Sequence, residues 1–147
     1  MQILKTQLVC AFVLGAVSAL AQSPGKKSPS VTLAPIDPVT VTRGKGADVS
    51  LHFRVAPGFH INSNTPKSEF LIPTALKMDA PTDIALTKTS YPAGKDMTFP
   101  FAPDEPLNVY TGDFTVSMVV RPLHTVQPGK YAIHGDLKYQ ACDNAAC

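Results

Sequence analysis

The sequence contains no tryptophan, and only three of its 147 residues are cysteine. Antibody-type immunoglobulin domains pack a tryptophan against a disulfide that joins two strands distant in sequence. Here Cys142 and Cys147 are five positions apart, and Cys10 lies near the N-terminus. An antibody-type core is therefore excluded, and any likeness to immunoglobulins is limited to architecture.

Helical patterns are also lacking. No window of 11 residues after Ser23 carries apolar side chains at helical spacing. Strand patterns replace them, and the clearest is Ala47 to Val55, where apolar and polar side chains alternate. The chain has 14 prolines, which end helices and central strands alike. We predict an all-β fold, an immunoglobulin-like antiparallel β-sandwich, with Pro92 to Pro106 as a long loop that has room for one edge strand.

Strong charge of either sign is missing. The chain has 13 basic and 11 acidic side chains, and they are interspersed along it. Such a balance does not predict nucleic acid or an acidic surface as a partner. Spacings typical of Ser-His-Asp catalysis, phosphate-binding loops and paired carboxylates are absent as well.

No apolar run is long enough to predict a membrane-spanning helix. The uncharged run from Thr6 to Ala21 has 16 residues, short of the roughly 20 that a span needs. Lys5 precedes it, and Ala19 to Ala21 forms a small-x-small cleavage signal. We predict a signal peptide over residues 1–21, a linker over 22–30 and one β-sandwich domain over 31–147. The mature protein would be secreted and would contain no membrane span.

Signal cleavage would remove Cys10 and leave one pair of cysteines, an even number in an oxidising compartment. A tight turn through Asp143 and Asn144, followed by a return strand, would make a Cys142–Cys147 disulfide sterically plausible. A loop of about six residues would contribute only about 2 kcal/mol of stability. The pair therefore favours reversible thiol–disulfide exchange, while a local structural disulfide and metal ligation remain open.

The residues around the pair favour a relay thiol over a strong oxidant. Asp143 adjoins Cys142, and a neighbouring carboxylate raises the pKa of a thiol. No arginine or histidine stands beside the pair in sequence. His60 lies between Phe59 and Ile61, and we interpret it as a structural histidine with its hydrogen bonds satisfied.

A copper or zinc site on a cupredoxin-like sandwich is the main alternative from another class. Blue-copper sites use two histidines, one cysteine and a weak axial methionine. The usual order places a histidine and a methionine after the cysteine, and nothing follows Cys147. We therefore predict no metal and no cofactor.

The last nine residues, Tyr139 to Cys147, resemble the active-site hairpin of the periplasmic N-terminal domain of the DsbD family of thiol:disulfide interchange proteins. Gly58 to Asn64 and Phe70 to Thr74 resemble signature stretches of that domain. Leu107 to Gly112 is similar to its cap loop. The resemblance extends from about Val31 to the end of the chain.

This resemblance implies an immunoglobulin-like sandwich with the cysteines on a C-terminal hairpin. It implies a periplasmic domain that takes electrons from a thioredoxin-like domain. The acceptors would be periplasmic disulfide isomerases or thioredoxin-like proteins of cytochrome c maturation. Cys147 would form the mixed disulfide with the partner, and Cys142 would resolve it.

The resemblance also assigns shielding of the cysteines to Tyr110 and Val109 in the cap segment. The family commonly has phenylalanine where Val109 stands, and its cysteines are commonly one residue further apart. Tyr139 and Asp143 are predicted to line the site. The absence of a return strand after Cys147 predicts that the domain is truncated at its C-terminal end.

Overall fold

The computed structural model describes residues 29–147. The predicted signal peptide 1–21, and all but the last two residues of the predicted linker 22–30, lie outside the described residues. Within residues 29–147 no helix is long and apolar enough to cross a membrane.

Ten strands form the described part of the chain. They are β1 (Val31–Leu33), β2 (Ala47–Val55), β3 (His60–Asn62), β4 (Ala75–Asp79), β5 (Ile84–Ser90), β6 (Lys95–Phe99), β7 (Ala102–Tyr110), β8 (Asp113–Pro122), β9 (His134–Lys138) and β10 (Ala141–Cys142).

The strands form two four-stranded sheets and one two-stranded ribbon. The first sheet has the order β1-β2-β8-β5, the second has the order β10-β3-β7-β6, and the ribbon pairs β4 with β9. Every strand pair is antiparallel. The prediction of an all-β antiparallel fold of immunoglobulin-like architecture is confirmed.

The core lies on the inner face of the first sheet, where alternation in the sequence places it. In β2 the buried side chains are Leu51, Phe53 and Val55, while the intervening side chains are exposed. Val116 of β8 pairs with Leu51 across the sheet and is fully buried. Tyr110 of the second sheet stacks on Phe114 of β8, with 4.9 Å between ring centroids, which joins the two layers.

Most of the segment from Pro92 to Pro106 is strand, so the prediction of a long loop there is wrong, although the edge strand that it allowed is present as β6. It contains β6 and the first half of β7. β6 pairs with the second half of β7 from Lys95↔Val109 to Met97↔Leu107 and, after a register shift, with its first residue through Phe99↔Ala102. On its other side β7 pairs with β3 only through its last two residues. The first half of β7 therefore leaves one edge unpaired among the described residues, and an unpaired edge tolerates proline.

The last strand is held in the fold by one neighbour. β10 has two residues and pairs with β3 through Ala141↔Ile61 and Cys142↔His60. Cys142 therefore lies at the margin of the second sheet, and Cys147 follows after a tight turn. This confirms that the two cysteines lie on a turn at the C-terminal end.

Candidate functional site

Cys142 and Cys147 form a disulfide, with 4.2 Å between their Cα atoms. The Asp143 side chain shapes the turn between them, because its Oδ1 accepts hydrogen bonds from the N–H groups of Ala145 and Ala146, both at 2.8 Å. The Asp143 N–H donates to the Ala146 carbonyl at 3.0 Å. The two backbone hydrogen bonds to the Asp143 carboxylate lower its pKa, so that it stays ionised while it supports the turn.

The two sulfur-bearing residues differ in exposure. Cys142 is only 1% exposed, whereas Cys147 lies at the surface. Thiol–disulfide exchange requires an attacking thiolate to reach one sulfur and displace the other. An incoming partner therefore has access to Cys147, while the fold covers Cys142.

A buried histidine lies beside the disulfide, and the sequence analysis did not place it there. His60 is the register partner of Cys142, and one of its ring nitrogens and the two Sγ atoms lie within 4.8 Å of one another. The side chain is 2% exposed, and its Nε2 has no hydrogen-bond partner among residues 29–147.

The predicted structural histidine is therefore buried, but the prediction that its hydrogen bonds are satisfied is wrong. Burial lowers the pKa of His60, and the negative charge of Asp143 opposes that effect. The signal that could have located His60 is the pairing of β3 with β10. That pairing depends on strand register, which residue spacing does not provide.

Two phenylalanines cover the histidine ring. His60 stacks on Phe99, with 3.8 Å between ring centroids and 14° between ring planes. Phe101 lies nearly parallel to both rings, with its centroid 6.2 Å from that of His60, and is 38% exposed. Both phenylalanines belong to the β6–β7 hairpin, which lies in the segment predicted as a loop.

The predicted cap residues lie in a strand rather than a loop. Val109 and Tyr110 end β7 and are 1% and 4% exposed. The Tyr110 hydroxyl donates to the Asn64 Oδ1 at 2.6 Å and lies 2.9 Å from the Pro92 carbonyl oxygen. Burial raises the Tyr110 pKa, so the hydroxyl remains protonated. These contacts belong to the sandwich core, and shielding of the disulfide by this pair stays a prediction.

Tyr139 and the residue after it connect β9 to β10. Tyr139 packs against the core, and its hydroxyl lies 3.5 Å from the Ser30 hydroxyl. The Gln140 Oε1 accepts hydrogen bonds from the Asn62 Nδ2 at 3.0 Å and from the Ile72 N–H at 3.2 Å. Because Asn62 belongs to β3 and is fully buried, this network fixes β10 beside the strand that carries His60.

An open cleft of about 550 Å³ adjoins the hairpin. Its walls include His60, Phe99 and Asn144, and the Arg54–Asp113 ion pair also lines it. Neither cysteine lines the cleft, but Asn144, in the turn between them, does. Within residues 29–147, His60, Cys142 and Cys147 form a group that could supply three ligands to a metal ion.

Comparisons with known proteins identify the family of the chain. The sequence matches the family described as "Thiol:disulfide interchange protein DsbD, N-terminal" over residues 31–147. No curated protein matches the chain. Among solved structures, the Neisseria meningitidis DsbD N-terminal domain in the reduced form is similar, at 21% sequence identity and a TM-score of 0.40. That similarity covers 66% of this chain and 64% of the solved chain, which is less than two thirds of its length. The family match spans most of the sequence, and the chain belongs to the family of the N-terminal domain of the thiol:disulfide interchange protein DsbD.

Proposed function

We propose that this domain is a periplasmic thiol–disulfide exchange domain that relays electrons through Cys142 and Cys147. The donor would be a thioredoxin-like domain. The acceptors would be periplasmic disulfide isomerases or thioredoxin-like proteins of cytochrome c maturation. The observation that carries the proposal is a short-loop disulfide with Cys147 exposed and Cys142 1% exposed.

The exposure of the two residues supports the following order of steps. A donor thiolate attacks the Cys147 Sγ, the Cys142–Cys147 bond breaks, and Cys142 leaves as a thiolate that takes up a proton. The second donor thiolate then attacks the donor sulfur of the mixed disulfide and releases Cys147. The donor dithiol is oxidised to a disulfide, and this domain gains two electrons and two protons.

Transfer to the acceptor follows the same path in reverse. The Cys147 thiolate attacks the acceptor disulfide and forms a mixed disulfide, and the acceptor's other sulfur leaves with the electron pair. Cys142 then attacks Cys147, closes the original disulfide and releases the reduced acceptor. Because Cys142 is covered by the fold, it acts only within the domain.

Shielding of the disulfide has a second set of candidates beside Val109 and Tyr110. Phe99 and Phe101 stack on His60, whose ring nitrogen lies within 4.8 Å of both sulfurs. Phe101 is partly exposed and lies in the turn of the β6–β7 hairpin. A docking partner can therefore displace it without opening the core.

Substitution of each cysteine tests the relay. Cys147→Ser should abolish exchange with a reduced thioredoxin-like protein, because it removes the sulfur that the partner can reach. Cys142→Ser should trap a mixed disulfide through Cys147, visible as a reductant-sensitive band in a non-reducing gel of periplasmic extract.

The alternative to the relay is a secreted β-sandwich whose disulfide is only structural. Failure to trap any partner, together with a reduction potential below about −300 mV, would support that alternative and contradict the relay. A trapped thioredoxin-like protein would support the relay.

A further inference from the structure

We propose that the reduced domain binds a thiolate-preferring d10 cation, Cu⁺ or Zn²⁺, through the sulfurs of Cys142 and Cys147 and a ring nitrogen of His60. This site goes beyond the proposed relay, because it requires the reduced pair but no partner protein.

The donor atoms of the proposed site lie close together. The two Sγ atoms and a ring nitrogen of His60 lie within 4.8 Å of one another. Zinc bonds of about 2.3 Å to sulfur and about 2.0–2.1 Å to nitrogen place the ligand atoms of one ion roughly 3.5–4 Å apart. Reduction breaks the sulfur–sulfur bond and lets the sulfurs separate, so a small adjustment gives that spacing.

The state of the histidine is the second, independent observation. His60 is 2% exposed, and its Nε2 has no hydrogen-bond partner among the described residues. Most buried polar side-chain atoms are hydrogen-bonded, because an unpaired one loses its hydration without compensation. Stacking on Phe99 holds the ring beside the sulfurs. A bound cation would give this imidazole a partner in the reduced protein.

Binding is restricted to one oxidation state. In the disulfide form the two sulfurs are bonded to each other and cannot act as thiolate ligands. A dithiol reductant supplies two electrons and two protons to Cys142 and Cys147 and becomes a disulfide itself. When the cation binds, both thiols lose their protons to solvent and the metal–sulfur bonds form.

The ligand set selects the class of cation. Two thiolates and an imidazole suit Cu⁺ and Zn²⁺, whereas Mg²⁺ and Ca²⁺ prefer oxygen ligands. A blue-copper centre would need a second histidine. The site therefore differs from the cupredoxin alternative that the sequence analysis considered, and a bound cation would compete with thiol–disulfide exchange.

The test is metal titration of the reduced full chain after anaerobic removal of the reductant. Cu⁺ and Zn²⁺ are each titrated against a chromophoric chelator. We expect one cation per chain in the reduced protein and no binding at the same concentrations in the oxidised protein. His60→Gln should weaken binding by about 10- to 100-fold or more, since even groups that only support a ligand have effects of that size.

The matched control is His52→Gln, because His52 is exposed on β2 and bonds only to the Thr115 hydroxyl among the described side chains. It should leave the affinity unchanged. Circular dichroism checks that His60→Gln folds. If it does not, X-ray absorption of the metal-loaded wild type decides, with two sulfur ligands and one imidazole nitrogen expected.

Three outcomes would overturn the site: no stoichiometric binding, equal affinity in His60→Gln and wild type, or sulfur-only ligation. An exchange assay on the metal-free reduced protein separates this proposal from the relay. Exchange without metal binding would remove the site and leave the relay standing. Metal binding without exchange would remove the relay and leave the metal site standing.

Discussion

At the level of single residues, Asp143 acts on the site through two kinds of interaction. Its carboxylate accepts the N–H groups of Ala145 and Ala146, which closes the turn between the cysteines. Its negative charge also raises the pKa of His60, which opposes the lowering caused by burial. The sequence predicted a charge effect on the neighbouring thiol from adjacency alone. The turn-forming hydrogen bonds add a geometric role that favours the closed disulfide.

Asp143→Ala should make the disulfide easier to reduce. Without the two side-chain hydrogen bonds, the reduced chain holds its thiols less often within bonding distance, so the equilibrium should shift a few-fold toward the dithiol. The measurement is the equilibrium with a glutathione redox buffer. Asp143→Asn is the matched control, because its amide oxygen can accept the same bonds. A larger shift in Asp143→Asn than in Asp143→Ala would contradict this account.

Residue spacing identified Cys142 and Cys147 but not His60, and the reason is physical. Asp143 and Asn144 suit a turn, so the proximity of the cysteines follows from local sequence. His60 is more than 80 positions away and reaches the pair only because β3 and β10 align Cys142 with it. A one-residue change in register would direct its side chain to the other face of the sheet.

At the level of elements, the β6–β7 hairpin is the part of the fold that the residue pattern does not predict. Pro103 and Pro106 lie within β7, although prolines at this density are typical of a loop. The strand tolerates them because neither proline is in register with β3 or with β6, whose pairing with β7 shifts register between Met97 and Phe99. Strand β2, which contains no proline, was predicted with its observed bounds, Ala47–Val55. Alternation is a strong signal in β2 because one face of that strand is buried and the other is exposed.

Phe101→Ala should expose the site without unfolding the domain. The Phe101 side chain is 38% exposed and stacks beside His60 and Phe99, so its loss removes cover rather than core. We expect the oxidised domain to react several-fold faster with a small dithiol, measured under pseudo-first-order conditions. The ratio between the reduction rate with a thioredoxin-like protein and the rate with the small dithiol should be smaller than in the wild type.

Phe70→Ala is the control for that experiment, because Phe70 is 87% exposed and belongs to no described aromatic stack. Tyr110→Phe tests the predicted cap in parallel, since it keeps the ring and removes the hydroxyl bonded to Asn64. Faster reduction in Tyr110→Phe but not in Phe101→Ala would show that Tyr110, at the end of β7, shields the disulfide and that Phe101 does not.

At the level of the whole molecule, the fold follows from alternation and the site does not. The inner faces of β2 and β8 carry the buried apolar side chains, and their order in sequence is enough to predict an antiparallel sandwich. The arrangement of ten strands into two sheets and a ribbon depends on long-range pairing. That pairing brings β3, β10 and the β6–β7 hairpin together, and it therefore creates the site.

Acid should destabilise the whole fold partly through Asp113. The Arg54 guanidinium bonds to both Asp113 carboxylate oxygens, at 2.6 and 3.0 Å, which lowers the Asp113 pKa. A carboxyl whose folded pKa lies below its unfolded value of about 3.9 stabilises the fold above that pH. The contribution is lost as the pH falls through the folded pKa. Thermal midpoints should therefore drop below about pH 4.

Asp113→Asn should reduce the size of that drop, and added salt should reduce it in the wild type, since the pair is exposed. Asp104→Asn is the control, because Asp104 is exposed in β7 and forms no ion pair with any described residue. An acid-induced drop of equal size in wild type and Asp113→Asn would show that this pair does not contribute.

The isolation of His60 from solvent also makes it a spectroscopic reporter. The chain has only four histidines, so their imidazole carbon-bound protons give a sparse set of nuclear magnetic resonance signals. The His60 ring lies against Phe99, whose ring current displaces its resonance from those of exposed histidines. The electronic state of two sulfurs within 4.8 Å would shift that one resonance again. A single line in the spectrum would then distinguish the oxidised domain from the reduced one, without any label.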